Sequence, residues 1–113
     1  MPTDDATLLD IMNAARLAKE FIRDMDKDSF MLDLKTQSAA IHQCLILGEA
    51  VKRLSETFRD LHSELPWGMM ARMRDILIHH YDSVDLDQLW HTLENDIPQV
   101  IKAIKPLIPR PCE

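Results

Sequence analysis

The sequence predicts an all-α fold, a single bundle of four or five helices. Apolar residues recur at three- and four-residue steps along most of the chain, and no segment sustains the two-residue alternation of a half-buried strand. Two glycines and one tyrosine are too few for the turns and aromatic pairs of a β domain. At 113 residues the chain is one domain, and at 46% apolar it is too hydrophobic to remain disordered.

From Asp5 to about Met25, residues Leu8, Ile11, Met12, Ala15, Ala18 and Ile22 form one face of an amphipathic helix, leaving Asp10, Lys19 and Arg23 to water. The charged stretch Asp24 to Asp33 breaks the period and reads as a connection with room for a short helical turn. A second helix is predicted from about Leu34 to Arg59, where Ala40, Cys44, Leu47, Val51, Leu54 and Phe58 alternate steps of four and three. Beside them Ile41, Leu45 and Gly48 make a second stripe. A helix apolar over so wide an arc is either central in the bundle or shared with a partner chain.

Pro66 suits the first turn of a third helix, since the N–H it lacks has no helical acceptor there. That helix turns Met70, Met73 and Leu77 inward and ends near His79 to Asp82. Asp85 followed by Gln88 resembles a capping box for a fourth helix that buries Leu86, Leu89, Trp90, Leu93 and Ile97. Pro98 marks a kink or a boundary between consecutive helices. Pro106, Pro109 and Pro111 end regular structure, which divides the chain into a helical domain, 1–106, and an irregular Pro-rich tail, 107–113.

The net charge of −6 argues against a general nucleic-acid binder, although it leaves room for a local basic site. No apolar run reaches the length of a membrane span, and the acidic start lacks the positive charge of a signal peptide, so the chain reads as cytoplasmic. Cys44 and Cys112 form no CxxC pair and read as two free thiols. No Gly-rich phosphate loop and no GxSxG occur. The di-iron pattern also fails, because no Glu lies three residues before any His. No metal site and no cofactor are expected.

Between Trp67 and Tyr81 lie Arg72, Arg74, His79 and His80 against a single acid, Asp75. One reading is a helix end whose dipole favours positive side chains. The other is a site for a phosphate. In an ideal helix, positions five apart differ by roughly 500°, which leaves Arg74 and His79 about 140° apart. They converge only if the helix loosens or another chain completes the site.

Arg74-x4-His79-x-Tyr81 resembles the RX4HXY signature of the HEPN superfamily, in its HepT-like branch. Flanking blocks extend the resemblance over nearly the whole chain: Lys35-Thr36-Gln37, Gly48-Glu49-Ala50-Val51-Lys52-Arg53-Leu54-Ser55, Pro66-Trp67, Val84-Asp85-Leu86, and Trp90 through Pro98 (WHTLENDIP). The resemblance implies a homodimeric helical bundle whose two RX4HXY segments face one another across a cleft. It implies a toxin of a two-gene toxin–antitoxin module, acting as a metal-independent endoribonuclease. It also implies a minimal nucleotidyltransferase (MNT) antitoxin, which in some systems transfers AMP to the motif tyrosine. Carried over, Arg74 and His79 are the catalytic pair and Tyr81 is the modification point.

These residue types suit metal-free RNA cleavage, in which the ribose 2′-OH attacks the neighbouring phosphorus. A histidine titrating near neutrality takes or gives the proton, and an arginine offers two donors to the charge on the phosphoryl oxygens. A dimer supplies both a base and an acid. His80 reads as a second proton carrier or phosphate contact, or as a solvent-facing neighbour. Glu49 either orients Arg74 or His79, or is an ordinary polar helix residue. Asp75 stands where the superfamily often has Asn. Its carboxylate either pairs with Arg74 and repels an RNA phosphate, or orients His79. The alternative function is a non-catalytic HEPN interaction module in stable complex with a nucleotidyltransferase partner.

Overall fold

Five loops end on a side-chain oxygen that captures a helix's first free N–H groups. In the computed structural model, which describes residues 3–79 and 84–108 and gives only the helical backbone at 75–79, these caps set the element boundaries. Thr3 Oγ1 accepts from Ala6 N at 3.1 Å and opens α1, Asp4–Phe21. Asp26 accepts from Ser29 N at 2.8 Å and opens α2, Lys27–Met31. Asp33 accepts from Thr36 N at 3.0 Å and opens α3, Leu34–Arg53. Ser55 Oγ accepts from Phe58 N at 3.0 Å and opens α4, Glu56–Leu61. Asp85 accepts from Asp87 N at 3.0 Å and Gln88 N at 3.2 Å and opens α6, Leu86–His91. Such a cap typically contributes about 1 kcal/mol. Between α4 and α6, α5 spans Trp67–His79; Pro66 stands just before it, and the Pro66 carbonyl accepts from Met70 N at 3.1 Å.

The four long rods of the bundle are α1, α3, α5 and a composite fourth. In the last, α6 passes through a π-helical turn, Thr92–Asp96, into α7, Ile97–Ile104, and a 3-10 turn, Lys105–Leu107, follows. All described regular structure is helical, as the periodicity predicts. The helix α3 is central, packed between α1 and α5, and α7 closes on α1. The predicted faces of α1 and α3 are the core: Leu8, Ile11, Met12, Ala40, Cys44, Leu47 and Val51 are buried, as are Met70, Leu93 and Ile97. Burying each large aliphatic side chain contributes roughly 1.5–3 kcal/mol. Phe30 of α2 stacks obliquely on Trp90 of α6, ring centroids 5.1 Å apart. The buried Gln37 amide donates to the carbonyls of Phe30 at 2.9 Å and Met31 at 3.1 Å, so the residue that ends the Lys-Thr-Gln stretch anchors the close of α2.

Three boundaries differ from expectation. The first helix stops at Phe21, and the chain turns through Asp24, whose φ of 62° lies in the left-handed region that short polar side chains tolerate. The predicted helix from Leu34 to Arg59 is two helices. Leu54 turns to extended backbone (ψ 142°) while staying buried, and Ser55 donates from N at 2.9 Å and from Oγ at 2.8 Å to the Asp4 carboxylate. Two hydrogen bonds to α1 and a new cap thus replace the helical bonds lost. The 3-10 turn, Lys105–Leu107, includes Pro106 and ends one residue beyond the predicted limit of regular structure at 106.

The fourth rod resolves the reading of Pro98. Ile97 N–H reaches back five residues to the Thr92 carbonyl, so the turn before the proline is one residue wider than an α-turn. Pro98 has no N–H, and in an unbroken α-helix its ring would press on the carbonyl four residues back. The wide turn absorbs that conflict, and the chain continues as α7. The capping box is half made: Asp85 caps, while the Gln88 amide donates forward to Thr92 Oγ1 at 3.4 Å. Among the described residues no helix is long and apolar enough to cross a membrane.

Candidate active site

Arg74 is held where α3 and α5 cross. The crossing is close because position 48 carries no side chain: a methyl group on Gly48 would stand 2.9 Å from Arg74 N and would overlap the Arg74 Cβ. Contact at that range is tighter than packed side chains tolerate, so only glycine permits it. The next residue of α3 is Glu49, and its Oε1 accepts from Arg74 Nε at 2.7 Å. The Arg74 side chain is 29% exposed and that of Glu49 47%, so the pair lies at the lip of the bundle, reachable by a solvent-borne phosphate. A short charge-assisted hydrogen bond of this kind fixes the plane of the guanidinium as well as its position. Glu49, one of the residues the sequence reading places near the motif, is thus paired with Arg74.

The helix runs regularly through His79, so the backbone does not loosen between the two motif positions. Positions 74 and 79 remain about 140° apart around α5. The side chains of Asp75 and His79, and the whole of His80 and Tyr81, lie outside the described residues.

The sequence reading missed a cavity on the other side of α5. A cleft of about 340 Å³ opens between α5 and the fourth rod, with Met69 and Met73 on one wall, Leu89 on the other and Cys44 of α3 behind. Burial pushes the Cys44 thiol up to about 12, which keeps it protonated and unreactive. Arg72, Gln88, Thr92 and Asp96 supply the polar groups at its edge. The wide turn Thr92–Asp96 contributes both of its ends to this cleft, and such turns recur at functional sites. The one signal for it in the sequence was Pro98. Among the described residues no three His, Cys, Asp or Glu side chains gather as a metal ion would require.

A family model described as ribonuclease HepT-like matches residues 11–107. A Thermococcus cleftensis protein named "Probable ribonuclease HepT" is 47% identical over 93 residues, 82% of this chain and 84% of that one. A Methanocaldococcus jannaschii protein, named as an inferred RNase, is 41% identical over 110 residues, 96% of this chain and 91% of its own. Another so named, from Caldanaerobacter subterraneus, is 33% identical over 108 residues and 96% of both chains. No solved structure matches the chain. With the family model covering most of its length and relatives matched nearly end to end, the chain belongs to the ribonuclease HepT-like family of HEPN proteins.

Proposed function

We propose that the protein is a metal-independent endoribonuclease that acts as the toxin of a toxin–antitoxin module. The observation that carries the reading is the Arg74–Glu49 pair at the Gly48 crossing, a motif arginine fixed by its neighbour and still open to solvent. In this mechanism a histidine nitrogen takes the proton of a ribose 2′-OH, and the oxygen attacks the adjacent phosphorus. Arg74 donates to the phosphoryl oxygens as charge builds there. The bond to the 5′-oxygen breaks, that oxygen is protonated by a second acid, and the products are a 2′,3′-cyclic phosphate and a 5′-hydroxyl. His79 cannot be base and acid in the same instant, and its position on α5 is about 140° from that of Arg74. Both facts support a homodimer in which two copies complete each site. An MNT-type nucleotidyltransferase is the proposed antitoxin, acting by transfer of AMP to Tyr81.

The test is incubation of the purified protein with defined RNAs, with and without EDTA. Cleavage ends carrying cyclic phosphate, insensitive to EDTA and abolished by His79→Ala, support the reading. Cleavage that survives His79→Ala, or that needs a divalent ion, overturns it. A second reading, a non-catalytic interaction module, is favoured by the net charge of −6 and by a carboxylate beside the motif arginine. It requires that no RNA be cut by a protein that still binds its nucleotidyltransferase.

A further inference from the structure

The cleft between α5 and the fourth rod has polar groups that fall into two kinds. Three are engaged: Asp85 caps α6, and Gln88 donates to Thr92. Two are not. Arg72 and Asp96 line the same cleft, yet neither bonds to the other nor to any other described residue. Opposite charges that line one cavity without pairing leave a guanidinium and a carboxylate that a ligand at its edge can engage. Asp96 is half-buried and Arg72 exposed, so both stand at the edge of the cleft. The walls between them, Met69, Met73 and Leu89, are apolar, and thioethers make favourable contacts with aromatic rings. The volume is that of a small-ligand site.

We infer that this cleft is a nucleobase subsite for the RNA substrate, and that the base it takes is guanine. The inference rests on the ribonuclease reading of the neighbouring site. Guanine alone among the four bases offers two adjacent N–H donors, N1–H and the 2-amino group, to one carboxylate. It also presents O6 and N7 as paired acceptors to a guanidinium, the commonest specific arginine contact with a base. Asp96 matches the first edge and Arg72 the second. Adenine has a single amino group and no second donor for the carboxylate; uracil has one N–H between two carbonyls; cytosine offers one amino group beside acceptors. The flat apolar faces of the ring pack on the two methionines. Met73, which lines the cleft, and Arg74 are consecutive on α5, so their side chains leave that helix about 100° apart. A phosphate on Arg74 and the base of a flanking nucleotide in the cleft are then held by two faces of one helix. The Trp90 to Pro98 block acquires a function this way, because its wide turn delivers Thr92 and Asp96 to the cleft.

The experiment measures binding apart from cleavage. Short 2′-O-methyl oligoribonucleotides, which lack the attacking hydroxyl, are titrated into the full chain, each with one G, A, C or U in a common background, and GMP is titrated alongside. Methyl resonances of Met69 and Met73 report occupancy. The inference expects at least tenfold tighter binding of the G oligonucleotide, lost in Asp96→Asn and weakened in Arg72→Gln, with the methionine methyls shifting in the wild type. Equal binding of the four oligonucleotides, or a guanine preference untouched by Asp96→Asn, overturns the subsite whether or not RNA is cut. Binding of GMP without the G oligonucleotide also overturns it, since the cleft is then a free-nucleotide site. Guanine-selective binding by a protein that cuts no unmodified RNA supports the subsite and overturns the ribonuclease reading instead.

Discussion

Arg74 Nε donates to Glu49 Oε1 across 2.7 Å, and the residue before that glutamate is the glycine over which the arginine's own backbone lies. Adjacent positions of α3 thus do two different jobs for one residue of α5. Gly48 sets how near the helix comes, and Glu49 sets how the guanidinium is turned.

The two jobs are separable by mutation. Glu49→Ala removes the acceptor, whereas Glu49→Gln keeps an oxygen in place without the charge. Because both side chains are partly exposed, the stability lost in either variant is about 1 kcal/mol or less. The effect on catalysis is larger, since a mis-turned guanidinium fails the phosphoryl oxygens as their charge develops. We expect kcat for RNA cleavage to fall by one to two orders of magnitude in Glu49→Ala, with partial rescue in Glu49→Gln and little change in KM. Steady-state kinetics on one defined RNA decide this. A rise in KM at constant kcat would assign Glu49 to substrate binding instead.

Gly48→Ala tests the crossing. In an unobstructed helix this change stabilises, by about 1 kcal/mol, because alanine is the better helix former. Here the added methyl meets the backbone and Cβ of Arg74, and neither can swing aside as the end of a flexible side chain would. Overpacking of that kind costs roughly 1–3 kcal/mol. The expected outcome is a lower urea midpoint at unchanged slope, accompanied by loss of cleavage. A midpoint equal to or above the wild type would mean that the two helices are not held at this distance in solution.

These two residues also show how far the sequence could be read. The motif supplied Arg74, and the block around Gly48 supplied Glu49 as a neighbour with an undecided role. Gly48 was read as part of an apolar stripe and of that block, although a glycine inside a helix is itself a sign of close approach. The predicted faces of α1 and α3 are the buried ones because periodicity records burial directly. The break at Leu54 and Ser55 was invisible for the same reason. Leu54 is buried and Phe58 half-buried on either side of it, so the period continues while the backbone does not. Of the cleft the sequence showed only Pro98, since the cavity depends on a wide turn that brings Thr92 and Asp96 together with residues of α5.

The break itself makes a prediction about pH. Hydrogen bonds from the Ser55 backbone and then its hydroxyl hold the Asp4 carboxyl below the usual carboxylate range. A depressed folded-state value stabilises the fold above the unfolded pKa of about 3.9 and is lost as pH falls through the lower folded value. Ser55→Ala removes the hydroxyl bond to Asp4 together with the cap of α4, at a cost of about 0.5–2 kcal/mol near neutrality. The gap between wild type and variant should narrow between pH 5 and pH 3 as Asp4 protonates, while the cap's share persists. Urea melts at those pH values measure it, and a gap that widens on acidification would contradict the assignment.

Tyr81 carries the prediction about regulation. In the sequence it follows the motif histidine, His79, by two residues. In the proposed reaction the Tyr81 hydroxyl attacks the α-phosphorus of ATP on the MNT partner, its proton is lost, and pyrophosphate leaves. The product is a phosphodiester carrying one negative charge and a purine. That phosphate competes for Arg74 as a substrate phosphate does, because a guanidinium binds either through the same donors. The attached adenosine adds bulk as well as charge. We expect a cognate MNT protein with ATP and magnesium to add the mass of AMP to the intact chain and to suppress RNA cleavage in proportion to the fraction modified. Tyr81→Phe should fold, cleave RNA and stay unmodified, so that the partner no longer silences it through catalysis. Cleavage suppressed equally in wild type and Tyr81→Phe, with no change in mass, would show that the partner neutralises by covering the site rather than by altering it.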